Sequence, residues 1–252
     1  MPLRHWLQLT LTDGIGPILS RRLIDSVGSV EAACAASIGD LQQINGIGGA
    51  RARNIRDAMA RAGDAVDAEI DRTARLGVRL VCPDDLEYPI LLRSIPDPPG
   101  VLYLKGTAEP RDLHAIAIVG SRRCSYYGRE QAERFGALLA GTGMTVVSGG
   151  ARGVDSAAHR GAMSHPQGRT IAVLGSGLDV PYPLENAPLF AQIAARGAVI
   201  SEYPLGTPPM AENFPRRNRI VSGTGGEQHR CGACRHEGCE SVAVLSRGGD
   251  RP

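Results

Sequence analysis

The sequence predicts an α/β protein: a doubly wound parallel sheet preceded by a small helical domain. Three observations predict it. From His114 onward four short, β-branched runs recur: AIAIVG (115–120), MTVVSGG (144–150), TIAVLGSG (170–177) and GAVISEY (197–203). Strands buried on both faces of a parallel sheet are near-continuously apolar in this way. The segments between them, 127–142, 154–163 and 186–196, read as helices, and repeated strand–helix units of that length build a doubly wound sheet. Near the N-terminus, an apolar-x-Gly-apolar-Gly pattern occurs twice, each time followed by a helical pattern.

Those two copies, LTDGIGPILSRRLIDSVGS (11–29) and INGIGGARARNIRDAM (44–59), each read as helix, tight glycine turn, helix. Residues 1–62 are therefore expected to form a helix-hairpin-helix-like domain. In the second copy Ile44, Ile47, Ala50 and Ile55 can share one buried face, while Arg51, Arg53 and Arg56 project. Such a hairpin can aim helix N-terminal amides at a nucleic-acid phosphate. It can equally be a small bundle whose glycines only turn the chain. Residues 63–113 run from an Ala/Asp-rich helix into a connector with short strands at 78–81 and 101–105. Pro83, Pro89, Pro96, Pro98 and Pro99 break regular structure between them.

Composition excludes several classes. The chain of 252 residues is 42% hydrophobic and 21% charged, as a globular protein is, and no apolar run approaches a membrane span. The N-terminal MPLRHWLQLT lacks the layout of a signal peptide. Cys34, Cys82 and Cys124 are scattered without disulfide-framework spacing, so a reducing cytoplasm is the expected location, with no membrane partner. Net charge is only +2, so the chain is no polycation. Lys105 is the only lysine. A GC-rich coding sequence accounts for such arginine bias, so only arginine position carries information.

The first three strands each end in glycine and small polar residues: Gly120-Ser121-Arg122, then Gly149-Gly150-Ala151-Arg152-Gly153, then Gly175-Ser176-Gly177. In a parallel sheet these ends share one edge, where ligands bind. Glycines let amides approach an anion, and the next helix adds its positive end. Three such loops with Arg122 and Arg152 point to a phosphate-bearing ligand. A fourth cluster, ENFPRRNRIVSG (212–223), places Arg216, Arg217 and Arg219 around Asn218 just after a proline-fixed turn. Arg217 can fork onto a phosphate and Asn218 onto a second oxygen or a base edge. Asp155 reads as a first-turn helix acid and His159 as packing near the site. Asp179 reads as either a sugar contact or a loop tether. No cofactor and no metal are expected in the crevice.

AIVGSRRCSYYGREQA, VVSGGARGVDSAAHRGAM, TIAVLGSGLDVPYPLEN and ISEYPLGTPPMAENFPRRNRIVSG together resemble the bacterial DNA-processing protein A family (DprA, also called Smf). The match covers about residues 112–223 in the order and spacing of that family's Rossmann-like core, and the connector resembles its N-terminal part. The resemblance implies a non-enzymatic protein of natural transformation. Such a protein binds incoming single-stranded DNA, shields it from nucleases, helps load the RecA recombinase and acts as a homodimer. It carries the DNA pocket onto Gly120, Ser121, Arg122, Gly150, Arg152, Gly153, Arg217 and Asn218. A flexible strand also calls for a stacking platform; Phe214 and Tyr203 are the nearby aromatics, with core packing the expected fate of both.

Two enzyme classes compete. Nucleoside-monophosphate hydrolases of the lysine-decarboxylase-like group carry a PGGxGTxxE loop, whereas SGGARGVDSAAH has no glutamate after its glycines. An NAD-type oxidoreductase needs G-x-G-x-x-G at the first strand, and GSRRCS does not fit.

The division expected is thus 1–62 helical, 63–113 connector, 114–223 Rossmann-like and DNA-binding, and 224–252 an aberrant tail. After Gly223 the family's continuation gives way to TGGEQHRCGACRHEGCES, and an apolar strand returns only at SVAVLS (241–246). Reading Gly223–Ala233 from the second codon base permits Gly-Leu and, further on, Val and Glu where the family places them. A frame-shifted or truncated tail, an incidental tail, and a zinc site of Cys231, Cys234 and Cys239 with His229 or His236 are the three readings. Loss of the last strands would remove the region through which the family dimerises and contacts the recombinase.

Overall fold

The structure, a computed structural model, describes residues 2–224 and the backbone of a strand at 243–245. It divides into two compact units, residues 1–88 with 95–103, and residues 89–94 with 104 onward.

The first unit is helical: α1 (Pro2–Leu11), α2 (Pro17–Val27), α3 (Val30–Ala35), α4 (Ile38–Gln43) and the long α5 (Gly49–Arg75), then the strand β1 (Arg79–Val81). The two glycine patterns form the expected turns. Gly14 and Gly46 take φ of 84° and 89°, a left-handed conformation that glycine adopts without strain. The isoleucine of each GIG, Ile15 and Ile47, enters the same core as Leu23, Leu41, Ile55 and Met59. The buried face of the second copy differs from expectation at one residue. Ala50 is exposed and Ala52 is buried, because α5 begins at Gly49 and its inward phase runs 52, 55, 59. Arg51 and Arg53 project, whereas Arg56 turns back to donate to the Cys34 carbonyl at 3.0 Å. α5 passes residue 62 without a break. Gln8 donates to the Met59 carbonyl at 2.9 Å, and Arg4 pairs with Asp67, tying α1 along α5.

In the second unit α6 (Ile90–Arg93) and β2 (Leu102–Gly106, its last residues in this unit) precede the strand–helix repeat. The repeat comprises β3 (Ala115–Val119), α7 (Tyr126–Gly141), β4 (Thr145–Ser148), α8 (Val154–Ser164), β5 (Arg169–Val173), α9 (Ala187–Arg196) and β6 (Ala198–Ser201). α10 (Asn213–Thr224) and β7 (Ala243–Leu245) follow. The strands lie in the order β2-β6-β5-β4-β3-β7. Pairs β3–β4, β4–β5 and β5–β6 are parallel, with Ile116 opposite Val146, Val147 opposite Ile171 and Ala172 opposite Val199. β7 pairs antiparallel with β3, Ile118 opposite Val244, so the sheet is mixed at that edge. α7, α8 and α9 pack in sequence over the strands they connect, and α10 packs on β3, β4 and β5.

The 212–223 cluster departs from expectation. Most of it is the helix α10, and Pro215 lies inside that helix, not in a turn before it. Pro215 stands in the first helical turn, where backbone N–H groups have no intrahelical acceptor and the missing donor costs nothing.

The N-terminal edge of the sheet is clamped by one buried arginine. The Arg169 side chain is 1% exposed; its Nε and Nη2 fork onto Asp112 at 2.6 and 2.7 Å. Nη1 reaches Glu109 at 3.1 Å, and Nη2 also donates to the Thr107 carbonyl at 2.5 Å. The glycine loops that follow β3, β4 and β5 lie at the opposite strand ends.

Among the described residues no helix is long and apolar enough to cross a membrane. The Cys/His cluster and the readings attached to it lie outside the described residues.

Candidate nucleic-acid interface

A crevice of about 250 Å³ opens where β3 and β4 end and α10 crosses them. Gly120, Arg122, Gly149, Asp155, Arg217 and Asn218 line it, with Val119, Ala151, Val221 and Ser222.

Arg217 is its fixed cation. α10 holds the side chain at 4% exposure, and Nη1 donates to the Gly149 carbonyl at 2.5 Å and to the Val173 carbonyl. Nε lies 3.3 Å from Asn218 Oδ1. Burial pulls the guanidinium below its ordinary pKa, Asp155 raises it and Arg122 lowers it further. Gly149 is required for this seat: a Cβ there would lie 2.5 Å from Nη1.

Arg122, exposed, lies with its Cζ 5.1 Å above the centre of the Phe214 ring. Phe214 in turn meets Tyr182, ring centres 5.5 Å apart and inclined by 46°. The cation and the two rings form a row. Contrary to the core fate expected for it, Phe214 is half-buried at this position, and Tyr182 is 39% exposed. Tyr203 donates instead to the Asn213 carbonyl at 3.2 Å.

Asp155, in the first turn of α8, is 6% exposed on the crevice floor. Its Oδ2 accepts from the Ala151 amide at 3.3 Å. Burial pushes the carboxyl up, while Arg217, the Ala151 and Gly120 amides and the Ser148 hydroxyl oppose that rise. Ser148 has one proton to give, and the Ile118 carbonyl, 2.6 Å away, competes for it. The expectation that loop amides face the ligand is therefore corrected in part. Ala151 and Gly120 amides serve Asp155, the Arg123 amide donates to Ser121 Oγ at 3.1 Å, and the Val154 amide donates to the Ser121 carbonyl at 3.3 Å. The positive charges of the lining are the Arg122 and Arg217 guanidinium groups.

One turn below, His159 is fully buried. Its Nδ1 lies 2.7 Å from Thr170 Oγ1, which itself donates to the Val146 carbonyl at 2.6 Å. The Thr170 proton being committed, His159 Nδ1 is the donor and the ring is neutral. Burial, with Arg217 and Arg160, lowers its pKa to about 3.

Of the residues expected at the site, Gly120, Arg122, Gly149, Arg217 and Asn218 meet in the crevice. Ser121, Gly150, Gly153, Gly175 and Gly177 shape its surroundings. Gly153, at φ 78°, lies directly against the Ser121 carbonyl, and Gly175 lies under Phe214. Gly150 presents its carbonyl to Asn186 Nδ2 at 2.9 Å, and Gly177 donates to the Thr207 carbonyl at 2.9 Å. Arg152 is exposed and forks onto Glu185, away from the lining, and Arg216 is exposed on α10. Arg219 is held by Glu202. Asp179 is a loop tether, accepting from the Gly206 amide at 2.7 Å. Tyr182 was not legible as a site residue, because it lies in the loop after β5, far in sequence from the arginine cluster. The Tyr-Pro flanking GSGLDV was its only signal.

A parallel sheet wound with helices, with an arginine-lined crevice at its loop edge, defines a Rossmann-like α/β protein. The model of the family described as DNA recombination-mediator protein A matches residues 79–228, and the chain belongs to that family. A SAM-like helix-hairpin-helix tandem matches residues 7–61. The chain is 37% identical to Protein Smf of Synechocystis sp., over 87% of this chain and 55% of that protein. Its structure resembles that of DNA processing protein A from Streptococcus pneumoniae with a TM-score of 0.69 and 30% identity, covering 88% of this chain and 75% of that one. It also resembles DNA processing protein A from Helicobacter pylori, whose structure describes a single-stranded DNA binding mode, at a TM-score of 0.50 and 31% identity, over 58% and 66%. The chain spans about half the length of the curated relatives it matches.

Proposed function

We propose that this chain binds single-stranded DNA in the arginine crevice as a non-enzymatic, cytoplasmic protein of natural transformation. In that role it shields incoming DNA and helps load the RecA recombinase. The observation that carries the reading is the pairing of Arg217 and Arg122 in one crevice beside two aromatic rings. The reading places a backbone phosphate against these guanidinium groups, of which Arg217 is pre-oriented by two carbonyls and loses little freedom on binding. Asn218 and the backbone at Gly120 and Gly149 border the same space. Tyr182, exposed beside Phe214, offers a ring face to an unpaired base, and base–aromatic stacking is worth about 1–3 kcal/mol. A duplex keeps its bases stacked inside and cannot use it. Family membership and the single-stranded DNA bound by the Helicobacter pylori relative support the choice of ligand. RecA loading, homodimer formation and the division at about residues 62, 113 and 223 rest on the family resemblance.

The reading is tested with Arg122→Ala and Arg217→Ala and fluorescent oligonucleotides of several sequences. Both variants should bind more weakly whatever the sequence and show a flatter salt dependence, since each removes a phosphate contact. An unchanged salt slope in both would take these arginines out of the DNA site.

A further inference from the structure

Three charged side chains line the crevice among the described residues: Arg122, Arg217 and Asp155. Asp155 belongs there for a reason beyond capping α8. Arg217 is a buried cation that no ordinary pH discharges, and Asp155 is the carboxylate that acts on it. A protonated Asp155 would leave that buried charge uncompensated, which is strongly unfavourable. The amides at Gly120 and Ala151 also donate toward the carboxylate and can accept no proton from it. Arg217 and Asp155 thus set one positive against one negative charge in the lining, and Arg122 supplies the crevice's one surplus positive charge.

We propose that Asp155 is a charge filter: by reducing the crevice to one net positive charge, it admits a phosphodiester and rejects a phosphomonoester. This rests on the crevice being a phosphate seat. A phosphodiester carries one negative charge and is matched. A phosphomonoester carries close to two at pH 8, its second pKa being about 6. Its extra charge would meet the Asp155 carboxylate on the crevice floor, where like charges repel. Internal phosphates of a DNA strand are diesters and free nucleotides are monoesters. The filter keeps the nucleotide pool out of a site meant for polymer.

The test is displacement of a fluorescent 20-residue thymidylate at pH 8 by thymidine 5′-monophosphate and by its 5′-methyl ester, which differ in charge but share base and sugar. The wild-type protein should prefer the ester by about tenfold or more. Asp155→Asn, close in shape but uncharged, should bring the two competitors to near equality. As a measurement that needs no variant, the wild-type preference should collapse at pH 5, where the monoester has taken up its proton. Equal competition in the wild type at pH 8, a preference that survives in folded Asp155→Asn, or a variant in which neither compound competes would each overturn the proposal. Failure of the underlying reading shows separately, as oligonucleotide affinity that neither Arg122→Ala nor Arg217→Ala changes.

Discussion

Replacing Gly149 by alanine puts a methyl group where Arg217 already is. The new Cβ would lie 2.5, 2.6 and 2.7 Å from Nη1, Nη2 and Cζ of the guanidinium. Ordinary contact needs about 3.4 Å or more, so the guanidinium must retreat by close to an ångström. That retreat breaks the donations from Nη1 to the Gly149 and Val173 carbonyls. A hydrogen bond to a charged group contributes about 1.5–3 kcal/mol, and water entering the widened gap restores part of it, so folding stability should fall by about 2–4 kcal/mol. The displaced guanidinium also leaves the phosphate position, and oligonucleotide affinity of the folded variant should drop about tenfold, the effect of about 1.4 kcal/mol. Urea unfolding and fluorescence anisotropy measure the two effects on one preparation. Stability within about 0.5 kcal/mol of wild type together with unchanged affinity would refute the placement of Arg217.

Arg122→Ala isolates the exposed cation. It should leave stability within about 1 kcal/mol, the scale of an exposed cation–π contact, while lowering the single-strand salt slope by about 0.7; anisotropy across a salt series reads it. Arg169→Met leaves the Asp112 carboxylate unpaired at the far edge of the sheet and should cost about 3–5 kcal/mol in urea unfolding, with DNA affinity of the folded protein unaltered. His159 gives a pH dependence of definite sign. Its folded-state pKa is depressed from 6.5 to about 3, so the unfolded chain takes up a proton that the folded chain refuses. Stability is full above pH 6.5 and falls on acidification toward pH 3, by about 1.4 kcal/mol per pH unit from this group; His159→Gln should flatten that slope in unfolding measured between pH 6 and 5. Incubation with nucleoside monophosphates should release no free base; release would return the hydrolase reading.

The strands of the second unit are legible because each is a short β-branched run flanked by glycine, and β3 to β6 fall within a few residues of those runs. The helix-hairpin-helix turns are legible for a similar reason: Gly14 and Gly46 stand where only glycine is relaxed. α10 was not, because Pro215 and three arginines read locally as a turn, and only packing on β3, β4 and β5 makes the helix worth forming. At the site, residue type was a good guide to which strand ends border the crevice and a poor guide to which arginine lines it. Arg152 and Arg217 look alike in sequence. One is drawn off by Glu185, brought close by the single helical turn at residues 184–186, and the other is drawn in by two carbonyls and Gly149. Partners that distant in sequence leave no local trace. The loop amides were misread for the same reason, since nothing local says that Asp155 turns back to occupy them.

If an unpaired strand lies in the crevice with its phosphate on Arg122 and Arg217, the wild-type protein should distinguish one 20-residue oligonucleotide from its duplex at the same salt concentration. The single strand should bind more tightly, and Arg122→Ala should reduce that advantage. Equal affinity for both forms would remove the unpaired strand from the crevice.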